Sequence, residues 1–160
     1  MPVSCSFRLN GKRMSILLCP GLGGVAAFSG DGESIDDPNA TAKQDEGPLP
    51  AGTYFIVDRE SGGRLGWLRD TIKDILVHSN RREWFALYRN DGVIDDETFI
   101  NGIKRGAFRL HPAGRFHESK GCITLHNLSQ FEKLRTFLKS QPVAFIPGTT
   151  IRYYGTVNVR

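Results

Sequence analysis

Apolar and polar residues alternate over Val3-Ser4-Cys5-Ser6-Phe7-Arg8-Leu9 and again through Met14, Ile16 and Leu18, with Asn10-Gly11 between the two runs. Period-two alternation marks a strand with one buried face, and Asn-Gly suits the positive φ angles of a tight turn. The pattern predicts a β-hairpin over 3–18. Further on, Thr53-Tyr54-Phe55-Ile56-Val57 is β-branched and aromatic, as a buried strand requires, and the fixed turn Gly47-Pro48-Leu49-Pro50-Ala51-Gly52 delivers it. Leu65, Leu68, Ile72, Ile75 and Leu76 recur at helical spacing with charged residues between them, predicting an amphipathic helix from about 64 to 78.

The second half repeats the strand signal in shorter pieces. Trp84-Phe85-Ala86-Leu87-Tyr88 reads as a strand and Asn90-Asp91-Gly92 as a turn, while the pattern from 93 to 101 fits no single element. Gly106-Ala107-Phe108-Arg109-Leu110 is a strand that ends at His111-Pro112, where proline biases its predecessor to extended geometry. Gly121-Cys122-Ile123-Thr124-Leu125 is another. Asn127, with Gln130 three residues on, caps a helix whose apolar face is Phe131, Leu134, Phe137 and Leu138, ending before Pro142. Apolar runs at 143–146, 150–154 and 156–159 close the chain as strands. The expected class is therefore mainly β with two helices (α+β), in one domain over 1–160 with the 3–18 hairpin packed on it.

Composition narrows the classes. A chain of 160 residues, 39% hydrophobic and 24% charged, buries roughly 70% of its unfolded surface, enough for a core without disulfide staples. No apolar run is long enough to insert in a membrane, and the first residues carry neither the basic nor the apolar region of a signal peptide, so any export is expected by another route. The net charge of +4 is spread among nearly as many acids, without the basic block that tracks nucleic acid. A mildly basic surface suits a polyanionic partner such as a cell wall. The glycines from 21 to 32 lack the Gly-Lys-Ser/Thr ending of a phosphate loop. Cys5, Cys19 and Cys122 have no metal-ligand spacing, so no metal or other cofactor is expected. Cys5 and Cys19 read as buried small hydrophobes, or as a pair in an oxidising compartment.

The chemistry concentrates between Phe108 and Leu125. One cysteine, after a glycine and inside an apolar run, follows His111 by eleven residues. Thiolate is the reactive form of cysteine, and a neighbouring imidazole is the usual means of generating it, so Cys122 and His111 are the candidate nucleophile and base. His117 is the alternative base. The bland readings are a buried structural thiol and a strand-end histidine satisfied by backbone. His78 and His126 flank helices as capping or surface residues, Tyr54, Trp67 and Trp84 belong to the core, and Ser119 either bonds within the site or shapes its turn.

Four elements in order carry a resemblance: Phe28-Ser29-Gly30, Gly47-Pro48-Leu49-Pro50-Ala51-Gly52-Thr53-Tyr54, Arg109-Leu110-His111-Pro112 and Ser119-Lys120-Gly121-Cys122. With Ile123 following, the last two resemble the signature of the L,D-transpeptidase (YkuD-type) superfamily. The set resembles most the type VI secretion L,D-transpeptidase effectors, the Tlde family. The resemblance implies an L,D-transpeptidase-like β-sandwich and a cysteine enzyme that acts on peptidoglycan tetrapeptide stems, by L,D-carboxypeptidase trimming of D-Ala or by D-amino-acid exchange. It also implies injection by type VI delivery components from the producer cytoplasm into a target-cell periplasm, and a cognate immunity protein. Gly121 and Ser119 would support the oxyanion, and Arg109, Arg115 or Lys120 would contact the substrate carboxylate. Many superfamily members have an arginine shortly after the cysteine where this chain has Lys120 and Thr124, and a Ser/Thr after the histidine where it has Pro112, so the group that orients His111 is unnamed, a backbone carbonyl being one that could serve. The reading from a different class is a non-catalytic wall-binding or partner-binding β domain.

Overall fold

The computed structural model describes residues 1–59, 83–114 and 120–160. The helix expected over 64–78, with Trp67 and His78, lies outside them, as do Arg115, His117 and Ser119.

Eleven strands and one α-helix occur among the described residues: β1 (Val3–Phe7), β2 (Ser15–Cys19), β3 (Gly23–Phe28), β4 (Gly52–Asp58), β5 (Phe85–Arg89), β6 (Glu97–Ile100), β7 (Ile103–Gly106), β8 (Arg109–Pro112), β9 (Ile123–Leu125), α1 (Leu128–Ser140), β10 (Ala144–Phe145) and β11 (Arg152–Val159). Nine strands form one sheet in the order β1-β2-β3-β9-β8-β5-β4-β11-β10. β1 also pairs in parallel with β11, from Val3↔Gly155 to Phe7↔Val159, which closes the sheet into a barrel with β10 left outside the ring. This corrects the expected sandwich. Within the ring no strand edge is left to protect, and the terminal strand β11 makes closure possible by pairing with β4 on one side and β1 on the other.

The strand patterns explain the closure. β1 and β2 alternate buried and exposed residues, so Cys5, Phe7, Leu17 and Cys19 point inward. There they join Tyr54, Ile56, Phe85, Leu87, Leu110, Ile123, Leu125, Val157 and Val159 in the main core. Cys5 and Cys19 are bonded as a disulfide. The expected tight turn at Asn10-Gly11 is instead a longer loop over 8–14, in which the Asn10 side chain donates to the Met14 carbonyl and accepts from Lys12 N–H. The tight Asn-Gly turn lies elsewhere. Asn101 (φ 51°) and Gly102 (φ 77°) join β6 to β7 as a separate two-stranded hairpin, inside and just after the stretch that the pattern left unassigned. The Asn101-Gly102 dipeptide was the signal that identifies it.

α1 begins at Asn127, whose side chain accepts from Ser129 and Gln130 N–H. Phe131, Leu134 and Leu138 enter the main core, and Phe137 stays half-buried against it. Three buried side chains at roughly 2 kcal/mol each outweigh the cap at about 1, so packing decides the helix's place and the cap its start. A second cluster, Phe55, Val57, Ala86 and Ile146, covers the other face of β4 and β5.

Candidate active site

β8 and β9 run parallel in the register Leu110↔Ile123, His111↔Thr124. Side chains alternate across a strand. Leu110 and Ile123 enter the core, so His111, Thr124 and Arg109 share the opposite face with Cys122, which immediately precedes β9. Extended by one residue, this register makes Cys122 the diagonal neighbour of His111. β3 adds Phe28 beside Thr124, and the β5–β8 register brings Ala86 beside Arg109 and Trp84 alongside His111.

His111 is 5% exposed and held on three sides. Its Nδ1 lies 2.7 Å from the Pro112 carbonyl oxygen. A carbonyl only accepts, so Nδ1 carries the proton and Nε2 presents a lone pair. Nε2 faces the Thr124 hydroxyl at 3.3 Å, and the Trp84 ring stacks on the imidazole at 4.3 Å between centroids. The backbone carbonyl thus fills the place of an orienting side chain without adding charge. Trp84, assigned to the core from sequence, and Thr124, noted there only as a departure, both contact His111.

Cys122 is the cysteine outside the Cys5–Cys19 disulfide, 8% exposed. Burial pushes its thiol up to about 11; the Arg109 backbone N–H and the Arg109 and Arg105 guanidinia oppose the rise, and Asp96 adds to it. The resting thiol is therefore neutral at neutral pH. Gly121 before it has φ +83°, and a Cβ there would fall 2.5 Å from Arg105 Nη2 and 2.8 Å from the Phe108 ring. Conformation and space both require glycine.

The expected carboxylate contacts are not equivalent. Arg109 is 2.7 Å from each carboxylate oxygen of Asp96 in a bidentate pair, and also donates to the Phe108 carbonyl. Its charge is already matched. Lys120 is exposed and lines a cleft of about 260 Å³ with Asp45, Asp96, Lys104, Arg105 and Ala107. Ala107 lies at the thiol's side, its carbonyl 4.0 Å from Sγ. No group of histidine, cysteine and acidic residues able to hold a metal occurs among the described residues.

The two upstream elements brace this site. The Ser29 hydroxyl accepts from Leu49 N–H at 2.7 Å, and the Tyr54 hydroxyl donates to the Pro50 carbonyl at 2.7 Å. Arg105 donates to the carbonyls of Thr41, Gly47 and Pro48. The His126 ring lies tilted against Phe28, 4.6 Å between centroids.

No curated protein and no solved structure matches the chain. Residues 23–149, which hold the Cys122/His111 face and both elements that brace it, match the Tlde1 domain, so the chain belongs to that family, the type VI secretion L,D-transpeptidase effectors.

Proposed function

We propose that this chain is a cysteine acyl transferase of peptidoglycan stem peptides, with Cys122 as nucleophile and His111 as general base. The observation that carries the reading is that both side chains lie on one face of the β8–β9 pair, with His111 Nδ1 anchored on the Pro112 carbonyl and Nε2 left as the basic nitrogen.

Because burial holds Cys122 as a neutral thiol, His111 Nε2 takes its proton as sulfur attacks the carbonyl between the third residue and the terminal D-Ala of a tetrapeptide. Backbone N–H groups at Gly121 and Cys122 receive the oxyanion, each donor worth about 3 kcal/mol. Collapse of the tetrahedral intermediate breaks the C–N bond. The His111 imidazolium returns its proton to the departing amine, and a thioester remains on Cys122. Water resolving it completes L,D-carboxypeptidase trimming, whereas the amine of a free D-amino acid completes exchange. Both remove the tetrapeptide donors that a target cell needs for cross-linking. The site would operate in the target periplasm after injection, within one catalytic domain over 1–160, with a cognate immunity protein protecting the producer.

Incubating the protein with purified tetrapeptide muropeptides, and following D-Ala release and D-amino-acid incorporation by mass spectrometry, tests the reading. Wild type is expected to lose D-Ala, Cys122→Ala to be inert, and His111→Ala to fall by at least about 100-fold. Identical products from wild type and Cys122→Ala would sink it.

A further inference from the structure

Arg105 is 4% exposed, and no carboxylate is in ion-pair contact with it among the described residues. Its N–H groups are satisfied by the neutral carbonyls of Thr41, Gly47 (2.8 Å) and Pro48 (3.4 Å), and its flat face lies over the Phe108 ring, 5.5 Å from the centroid. A buried charge is costly unless something nearby compensates it. Three carbonyl oxygens take up three of its N–H groups and leave the net charge in place, offset through space by the exposed carboxylate of Asp45.

The guanidinium is packed close against two glycines on separate elements. A Cβ at Gly121 would stand 2.5 Å from Nη2, its nearest neighbour, and a Cβ at Gly47, which the Ala40 and Lys43 carbonyls already exclude, would stand 2.9 Å from Nη1. Arg105 is thus wedged between the Gly47-Pro48 loop and the Gly121-Cys122 turn, and the next residue after Gly121 is the one whose sulfur becomes negative. The other charged or titratable groups facing Cys122 differ in kind. Arg109 is cancelled by its bidentate Asp96, His111 takes up a proton only during the reaction, and Lys120 is exposed to solvent on the same turn.

We propose that Arg105 is a positioning residue for the nucleophile: its guanidinium fixes the turn that presents Cys122 and supplies a buried positive charge that favours the thiolate. The inference rests on Cys122 being the nucleophile. The field that Arg105 exerts on the buried thiol points the same way, opposing the rise that burial imposes.

The test reads the thiol and not the reaction. Cys5 and Cys19 are bonded to each other, so iodoacetamide labels Cys122 in the described chain, and the rate of labelling against pH follows its thiolate fraction. Arg105→Met is expected to shift the profile up by about one pH unit, a tenfold loss of rate at fixed pH. Arg105→Lys, whose compact ammonium cannot span the three carbonyls, is expected to lose roughly two- to threefold. If the methionine variant does not fold, the lysine variant decides. A folded variant of either kind whose profile superimposes on wild type overturns the proposal. Muropeptide turnover is not read here, so failure of wild type to trim tetrapeptides would refute the acyl-transfer reading while leaving this result to stand or fall by itself.

Discussion

Asp36 is fully buried with φ 56°; its Oδ1 accepts from Ser29 N–H at 2.9 Å while its Oδ2 has no partner. Burial raises its carboxyl from 3.8 to about 6, against the Ser29 N–H, which lowers it. The folded carboxyl therefore keeps a proton that the unfolded chain has already lost between those values. Its contribution to stability is complete below 3.8 and disappears as pH rises through about 6. Asp36→Asn retains the Oδ1 acceptor, tolerates positive φ and carries no charge. It is expected to stabilise the protein at neutral pH by on the order of 1–3 kcal/mol, and to flatten the decline between about pH 4 and 6, as read by denaturant melts at several pH values. An unchanged slope would show that another group sets that dependence. At this scale the candidate nucleophile and base were legible, because cysteine and histidine bring their chemistry with them. Arg105, Trp84 and Thr124 were not, because arginine, tryptophan and threonine acquire such roles only from what they touch.

Among elements, the β1–β2 pair shows how local and distant terms combine. Alternation placed Cys5 and Cys19 on inward faces, and the sheet then brought them within bonding distance, with 14 residues of sequence separation. Closing a loop of that size contributes about 3 kcal/mol in the chain-entropy account. The double variant Cys5→Ser/Cys19→Ser is expected to lose stability of that order in chemical denaturation, and an equal loss is expected on reduction of the wild type. A reduced protein as stable as the oxidised one would contradict this. The Asn-Gly dipeptides teach a related lesson. At Asn101-Gly102 the flanking strands pair directly, and the tight turn forms. At Asn10-Gly11 the Asn10 side chain bonds to its own loop, and β1 pairs with β2 only at Ser6↔Leu18 and Phe7↔Leu17. The same two residues yield different loops because the strands around them have different partners. At the far end of α1, Lys139 bonds Asp58 and the Tyr154 hydroxyl, tying the helix to β4 and β11. No helical periodicity announces such a contact.

For the whole molecule, barrel closure matters more than the extent of the family match. Residues 23–149 carry the site, yet β1, β2 and β11 lie outside that span and complete the ring. Without β11, β4 keeps β5 as its one antiparallel partner and the core loses Val157 and Val159; without β1 and β2 it loses Phe7 and Leu17. A fragment limited to 23–149 is therefore expected to lack cooperative unfolding and to be digested rapidly by protease, in contrast to 1–160. A protease-resistant fragment with a sharp melt would show that the site stands on a smaller core than the barrel. The β-rich class, the capped helix at Asn127 and the four ordered elements around Cys122 and His111 followed from sequence alone, since periodicity, capping and reactive side chains are local properties. Tertiary structure alone decided that the sheet closes, that the Pro112 carbonyl meets His111 Nδ1, and that one buried guanidinium bonds the Gly47 carbonyl while packing against Gly121. Each depends on contacts between segments far apart in the chain, and a local pattern does not encode which distant backbone or charge will arrive beside it.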